Sequence, residues 1–463
     1  MGESARWRSW RCAAPSGCSR PSGTSAHAAA FALISAGPAP TYPAAKSAMT
    51  SSARDDRRSL WKQLRARAWP ESGAVSPVPA LDGLRAVAVL LVLVFHSWYK
   101  VPGYLAAGQP ESSNPLDAGH TGVHLFFVLS AFLLFQPYAR WIFGLQSRPS
   151  AWLFFKRRAL RVGPAYWCCL FFILIAGSLA LSRLADVGIH AVFLQNLYGP
   201  STYSLDGVFY TMAIEVQFYV TLPLLGWFCY LLVRRGGLKP GLAIAICVAG
   251  MFGVAIADKA LSTTSLTAIP TLGTALLTFS SLPYWYSVFA MGIAASAIYV
   301  YLTAVGGAPS RHIATAGSAI FATGLALWSA LVFVPALAQS PAPLMGVAYS
   351  SILVGVVFGW KGIRAAFEWR PLRFVGLISY SLYLWHLAVL KVFDRFLVHL
   401  PLTDHVMVRL VLVLTFGVAF AYVSYQLTER PFMDARRKAH DRPQGETPPE
   451  RAETFGAVAP AGV

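Results

Sequence analysis

The chain has 463 residues, of which 56% are hydrophobic and only 13% are charged, and its formal net charge is +18. About a quarter of the residues of a soluble globular protein are charged, so this composition predicts a polytopic membrane protein instead of several soluble domains. The cations lie mostly at the termini and between apolar runs, which is typical of membrane orientation and argues against a nucleic-acid partner.

The two ends of the chain differ from the apolar middle. Residues 1–78 are rich in Ala, Ser, Pro and Arg and lack sustained periodicity, so we expect a disordered, basic, cytoplasmic leader. Translation starting at Met1 or at Met49 is compatible with this composition. Residues 434–463 predict a disordered cytoplasmic tail, too short and too polar to form a further domain. We therefore expect one transmembrane domain, residues 79–433.

Ten apolar runs are long enough to cross a bilayer, which takes about 17 to 25 residues. They begin near positions 80, 122, 163, 208, 241, 283, 313, 343, 374 and 406. The pattern predicts an all-α fold, a polytopic helical bundle of about ten transmembrane helices. Two semi-polar segments, 184–207 and 259–282, are expected outside the membrane as interfacial or re-entrant pieces.

The basic residues between these runs predict an orientation. Clusters of Lys and Arg follow the second, fourth, eighth and tenth runs, and a single Arg follows the sixth, whereas the alternate loops hold few cations. Lys and Arg are enriched in cytoplasmic loops, so we expect a multi-pass protein of the plasma membrane with both termini in the cytoplasm.

The first run, LDGLRAVAVLLVLVFH, carries Arg85 near its start and His96 near its far end. In a helix this separation places both side chains on one face, about 16 Å apart. Arg85 is expected near the cytoplasmic end, where it can snorkel, and His96 in the outer half of the membrane. Ionisable residues inside a membrane are costly and often functional, although an anchoring arginine and a packed histidine would also fit the pattern.

Other runs place polar groups at a similar depth. Glu215 is expected in the outer half of the fourth run, and Ser379, Tyr383 and His386 share a face of the ninth. Together with His96 they predict one buried polar site, or else a structural hydrogen-bond network. A histidine beside a carboxylate can act as a general base on a hydroxyl. Since no GxSxG nucleophile motif is present, direct transfer is favoured over a covalent enzyme intermediate.

A metal site is the alternative use of the histidines. His120 and His124 have a spacing that brings two imidazoles to one face of a helix. His120, however, lies in the Gly-rich stretch AGHTG, where a helix is doubtful. We therefore expect no metal.

A basic cluster precedes the third run in FFKRRALRVGPAYW. Lys156 is expected to serve only as a topogenic anchor. Arg157, Arg158 and Arg161 could have the same purpose, or they could bind a phosphate-rich ligand through planar, bidentate donors. The spacing alone gives both interpretations equal weight.

Seven segments in chain order resemble the acyltransferase-3 integral-membrane family. They are LDGLRAVAVLLVLVFH, GVHLFFVLSAFLL, FKRRALRVGPAYW, FLQNL, AIEVQFYVTLPLL, ISYSLYLWH and TERPF. The resemblance covers residues 80–433, and the sequence departs from the family pattern at His124, Ala131 and Tyr210.

The resemblance implies an O-acyltransferase that moves an acyl group, often acetyl, from cytoplasmic acyl-coenzyme A to a hydroxyl. The implied acceptors are carbohydrates, envelope glycans, glycolipids or macrolides. It makes Arg85 and His96 the essential pair, with Glu215 in the catalytic core, and it assigns the coenzyme A phosphates to Arg157, Arg158 and Arg161. We expect the acceptor to contact His386, Tyr383, Ser379 and His124. The alternatives are a proton-coupled transporter and an exporter of an acylated glycan.

Overall fold

A computed structural model describes residues 78–99, 115–176, 184–262, 280–305, 311–334, 337, 342–397 and 405–432. All of them belong to the compact unit Glu71–Val463. The predicted leader, 1–78, and the predicted tail, 434–463, lie outside these ranges apart from Val78. So does most of the predicted re-entrant segment 259–282.

The described part of the chain is helical and contains no strand. A 3₁₀ turn at Pro115–Thr121 leads into the second helix, and π turns at Tyr301–Val305, Val413–Gly417 and Tyr425–Glu429 interrupt or extend later helices. The α-helices are α1 (Ala80–Tyr99), α2 (Gly122–Ile142), α3 (Ala151–Ala176), α4 (Leu184–Ala191), α5 (Phe209–Arg234), α6 (Pro240–Ser262), α7 (Leu282–Val300), α8 (Arg311–Phe333), α9 (Ala342–Phe358), α10 (Lys361–Phe367), α11 (Arg370–Leu377), α12 (Ser379–Leu397), α13 (Val406–Leu412) and α14 (Val418–Ser424).

Eight helical segments are long and apolar enough to cross a membrane, and two bent pairs raise the number to ten if each pair is one span. The bent pairs are α9 with α10, at 110°, and α11 with α12, at 72°. The prediction of an all-α membrane bundle with about ten spans is therefore confirmed. The eighth and ninth runs looked like simple spans in the sequence because hydropathy depends only on composition and does not reveal a bend between two helices.

The third span begins earlier than the sequence predicted, and the segment 184–207 does not cross the membrane as a helix. The third span was predicted to begin near position 163, but α3 begins at Ala151, so the basic cluster lies within the helix and not before it. Charged side chains lowered the hydropathy of a segment that is nevertheless helical. The semi-polar segment 184–207 forms the short α4 and two 3₁₀ turns and contains no spanning helix, as predicted.

Helix α1 contributes to both of the buried hydrophobic clusters. Its first half, with Leu81 and Leu84, packs with residues of α2, α5, α7 and α9. Its second half, with Val92 and Leu93, packs with residues of α3, α12 and the last span. The apolar residues that surround α1 thus keep Arg85 and His96 partly buried within the bundle.

Two glycines allow the end of α1 that carries Arg85 to lie against its neighbours. A Cβ atom on Gly376 would collide with the backbone of Asp82, and a Cβ on Gly83 would collide with the backbone of Phe367. Only a residue without a side chain permits so close an approach. The position of Asp82 and Arg85 therefore depends on direct backbone contact with α10 and α11.

We expect Gly376→Ala to lower the thermal stability of the purified protein, since overpacking typically costs about 1 to 3 kcal/mol. Gly362→Ala is the matched control, because a Cβ at Gly362 would meet no atom within 4 Å. Thermal unfolding in detergent compares the two variants with the wild type. Equal melting temperatures for all three proteins would contradict the close approach of α1 and α11.

Candidate active site

A cavity with about 740 Å³ of empty space, open solvent included, lies among α1, α2, α3, α5 and α12. Three guanidinium groups, one carboxylate and several hydroxyl groups line the cavity together with aromatic and aliphatic side chains. The lining residues are Arg85, Val123, Phe126, Phe127, Ser130, Leu133, Leu134, Arg158, Arg161, Val162, Thr211, Met212, Glu215, Tyr219, Ser379, Tyr380 and Tyr383.

Arg85 enters this cavity from α1. Its Nη1 lies 3.0 Å from Oδ1 of Asp82, one turn earlier in the same helix, and only 13% of the arginine side chain is exposed. The expected snorkelling position is therefore wrong, because an ion pair and the surrounding helices hold the guanidinium inside the protein. Asp82 neutralises part of its charge and fixes its orientation.

The basic cluster of α3 divides into two faces. Arg158 and Arg161, three residues apart, both line the cavity, whereas Lys156 and Arg157 are exposed. Residues three apart share a face of a helix and residues at intermediate steps do not. The structure therefore joins Arg158 and Arg161 to Arg85, and it leaves Arg157 outside the group in which the resemblance had placed it.

Glu215 of α5 lies in the cavity with the arginines. Its Oε1 accepts a hydrogen bond of 2.5 Å from Oγ of Ser130 on α2. The sequence left the partner of His96 open between Glu215 and another buried residue. In the structure the ring beside His96 is that of His386, and Glu215 lies among the arginines.

Of the polar stripe predicted in the ninth run, Ser379 and Tyr383 of α12 line the cavity and His386 does not. The hydroxyl of Tyr383 lies 2.6 Å from Oγ1 of Thr211 on α5. His96 and His386 are not among the lining residues.

His96 and His386 form a pair beyond Tyr383. Nδ1 of His96 lies 3.2 Å from Nε2 of His386 and 3.0 Å from the carbonyl oxygen of Val92. Nδ1 of His386 lies 2.6 Å from the carbonyl oxygen of Tyr383. The ring centroids of Tyr383 and His386 are 5.7 Å apart, so the histidine pair is adjacent to the end of the cavity.

His124, for which we expected a contact with the acceptor, lies outside the lining of the cavity. It is 8% exposed and packs against the ring of Trp285, with centroids 4.8 Å apart, and it does not line the cavity. The apolar Val123, Phe126 and Phe127 occupy the cavity face of α2 instead. Within the ranges that the structure describes, no three His, Cys, Asp or Glu side chains gather in a way that could hold a metal ion.

Several polar residues of the site were not predicted from the sequence. Asp82 lies three residues before Arg85, and Thr211 and Tyr219 lie four residues on either side of Glu215. That spacing on a helix was the available signal, because it places side chains next to one another. Ser130 and Tyr380 gave no comparable signal, since their contacts come from other helices.

The fold and the cavity define a polytopic membrane protein with a buried, mainly cationic site next to a histidine pair. A family model described as an acyltransferase domain matches residues 78–424. The chain therefore belongs to this acyltransferase family. Membership confirms the resemblance inferred from the seven motifs and the prediction of an enzyme of the acyltransferase class.

Two relatives illustrate the family. Nodulation protein 10 of Rhizobium leguminosarum bv. viciae is 28% identical over 237 residues, which are 45% of this chain and 60% of that protein. O-acetyltransferase OatA of Staphylococcus aureus is 24% identical over 394 residues, which are 78% of this chain and 58% of that protein. The chain thus spans about three fifths of the length of each relative. No solved structure matches the chain significantly.

Proposed function

We propose that this protein is an O-acyltransferase of the plasma membrane. It moves an acyl group, acetyl in the simplest case, from cytoplasmic acyl-coenzyme A to a hydroxyl of a carbohydrate, envelope glycan, glycolipid or macrolide-like acceptor. The observation that carries the proposal is the cavity that gathers Arg85, Arg158 and Arg161 beside the His96–His386 pair.

The charges of the cavity support an anionic donor. Arg85 is paired with Asp82, and Glu215 adds a second carboxylate, whereas Arg158 and Arg161 form no ion pair with any of the described residues. Guanidiniums without an ion-pair partner can bind a ligand of opposite charge. Phosphate groups suit this arrangement, because arginine offers planar, bidentate donors to their oxygens. Coenzyme A carries such phosphates at one end and the thioester at the other.

The histidine pair supports general-base chemistry at the far end of the donor. A neutral imidazole can take the proton of an acceptor hydroxyl while its oxygen attacks the thioester carbonyl. Arg85 would bind or orient the donor, since a guanidinium does not give up its proton in a protein. One relative is named O-acetyltransferase OatA, and this name agrees with the transfer of an acetyl group to a hydroxyl oxygen.

The orientation follows from the distribution of basic residues. Arg148 and the first turns of α3 lie at one end of the bundle, and we place that end in the cytoplasm with both termini of the chain. Residues 79–433 would then form the transmembrane enzyme, with the basic leader and the tail on the donor side. The acceptor would reach His96 from the opposite side.

Membrane vesicles of both orientations test the function and the orientation together. Inverted vesicles, which expose the cytoplasmic face, should release free coenzyme A from added acetyl-coenzyme A and label an envelope glycan with radioactive acetyl. Sealed right-side-out vesicles should not use the added donor until they are permeabilised. Vesicles that accumulate a solute without forming any acetyl ester would support the transporter alternative and contradict an acyltransferase.

A further inference from the structure

His386 does not reach the cavity, yet it is fully buried beside His96. The two rings come from α1 and α12, which are 290 positions apart in the chain at this point. Their nitrogens form a short chain of contacts: Nδ1 of His96 to Nε2 of His386, and Nδ1 of His386 to the carbonyl of Tyr383. This arrangement determines where the protons are.

The carbonyl of Tyr383 can only accept a hydrogen bond, so Nδ1 of His386 must be the donor across that 2.6 Å contact. A neutral imidazole has one N–H group, and Nε2 of His386 is then an acceptor. A neutral ring is favoured for His386, because this side chain is fully buried and an ionised ring is costly to bury.

Nδ1 of His96 consequently faces two acceptors, Nε2 of His386 at 3.2 Å and the carbonyl of Val92 at 3.0 Å. It must therefore carry the proton, since neither neighbour can donate to it. The second ring nitrogen of a neutral histidine then holds the basic lone pair. For His96 that nitrogen is Nε2.

We propose that His386 is a positioning residue that fixes the tautomer of His96, so that Nε2 of His96 acts as the base. This inference rests on the proposed acyl transfer. It replaces the expected role of His386 as a contact for the acceptor, and it replaces Glu215 as the partner that orients the catalytic imidazole.

The reaction balances with these groups alone. Nε2 of His96 takes the proton of the acceptor hydroxyl, the hydroxyl oxygen forms a bond to the thioester carbonyl carbon, and the carbon–sulfur bond breaks. The proton then moves from Nε2 to the departing thiolate of coenzyme A. While His96 is an imidazolium, its Nδ1–H group donates a charge-assisted hydrogen bond to neutral His386, which stabilises the charged ring.

Three substitutions separate this role from simple packing. His386→Gln can offer an amide oxygen near the position of Nε2. His386→Asn reaches only the position of Nδ1, and His386→Phe keeps a ring without any acceptor. We expect Asn and Phe to lower kcat at least ten-fold, as the loss of groups that orient a functional histidine commonly does. The KM for acetyl-coenzyme A should stay within two-fold, and Gln should recover most of kcat.

The control is His312→Asn on the exposed surface of α8, which should behave as the wild type. Each variant is compared at equal yield and equal melting temperature. A Gln variant as slow as Asn and Phe would overturn the positioning role. So would three variants that all work at the wild-type rate.

A second measurement does not depend on turnover. Nitrogen-15 NMR of histidine-labelled protein in lipid nanodiscs reports which ring nitrogen is protonated, with His96 assigned by comparison with His96→Gln. We expect a proton on Nδ1 and a bare Nε2 in the wild type, and a changed signal in His386→Phe. A proton on Nε2 of wild-type His96 would overturn the inference. If the wild type transfers no acyl group, the proposed function fails while this result still decides the tautomer.

Discussion

His96→Ala should lower the rate of acyl transfer about 10²- to 10⁴-fold, the usual cost of losing a general base. Without the imidazole, a hydroxyl must attack the thioester while it still holds its proton. The arginines and the cavity are unchanged in this variant, so binding of acyl-coenzyme A should stay near the wild-type value. Initial rates of acetyl-ester formation and equilibrium binding of a non-reactive coenzyme A analogue check the two halves of the prediction.

Ser97→Ala is the matched control for this experiment. Ser97 follows His96 directly in α1, is fully buried, and its hydroxyl has no hydrogen-bond partner among the described residues. Removing that hydroxyl tests whether α1 tolerates a change at this level, and we expect near-normal rates. A His96→Ala protein that works at close to the wild-type rate would show that the histidine is structural.

Arg158→Ala and Arg161→Ala should each weaken the binding of acyl-coenzyme A ten-fold or more. A hydrogen bond to a charged group contributes about 1.5 to 3 kcal/mol, and these two side chains face the cavity together with Arg85. Lysine in place of either arginine should restore only part of the affinity, because an ammonium cannot form the bidentate contact. Isothermal titration of the detergent-solubilised protein with acetyl-coenzyme A measures the dissociation constants.

Lys156→Ala is the control for the arginine variants, since Lys156 is exposed on the same helix. Arg157→Ala distinguishes the structure from the family resemblance. The resemblance includes Arg157 among the phosphate ligands, whereas its exposed position predicts an effect much smaller than that at its cavity-lining neighbours. Unchanged affinity in both Arg158→Ala and Arg161→Ala would leave these arginines as topogenic charges only.

Hydropathy predicted the fold well because the bilayer demands long apolar helices with every backbone group paired internally. The ten predicted runs correspond to the eight single spans and the two bent pairs. The early start of α3 was missed because its first turns carry charged side chains. Mean hydropathy cannot distinguish such a charged helical segment from a loop. The bends of 110° and 72° were missed because they depend on contacts between helices.

The sequence named several of the residues that line the cavity, but it did not give their arrangement. Spacing along one helix grouped Ser379 with Tyr383, and both line the cavity. The sequence could not decide which of three neighbouring arginines on α3 would face inward, because that depends on how the helix is rotated against α1. Nor could it show that His96 pairs with His386 and not with Glu215. Residues at the same depth on different helices can be close together or far apart, and the sequence does not give that distance.

The hydrogen bond between Thr211 and Tyr383 lies in the wall of the cationic cavity, and the ring of Tyr383 lies next to His386. If the proposed enzyme takes its donor from one side of the membrane and its acceptor from the other, a continuous water path between the two sides would dissipate the ion gradients of the cell. Such a path would also bring external water to the thioester and waste the acyl donor. The proposed reaction therefore carries a second requirement besides its chemistry, which is that the membrane stays sealed while the acyl group crosses it.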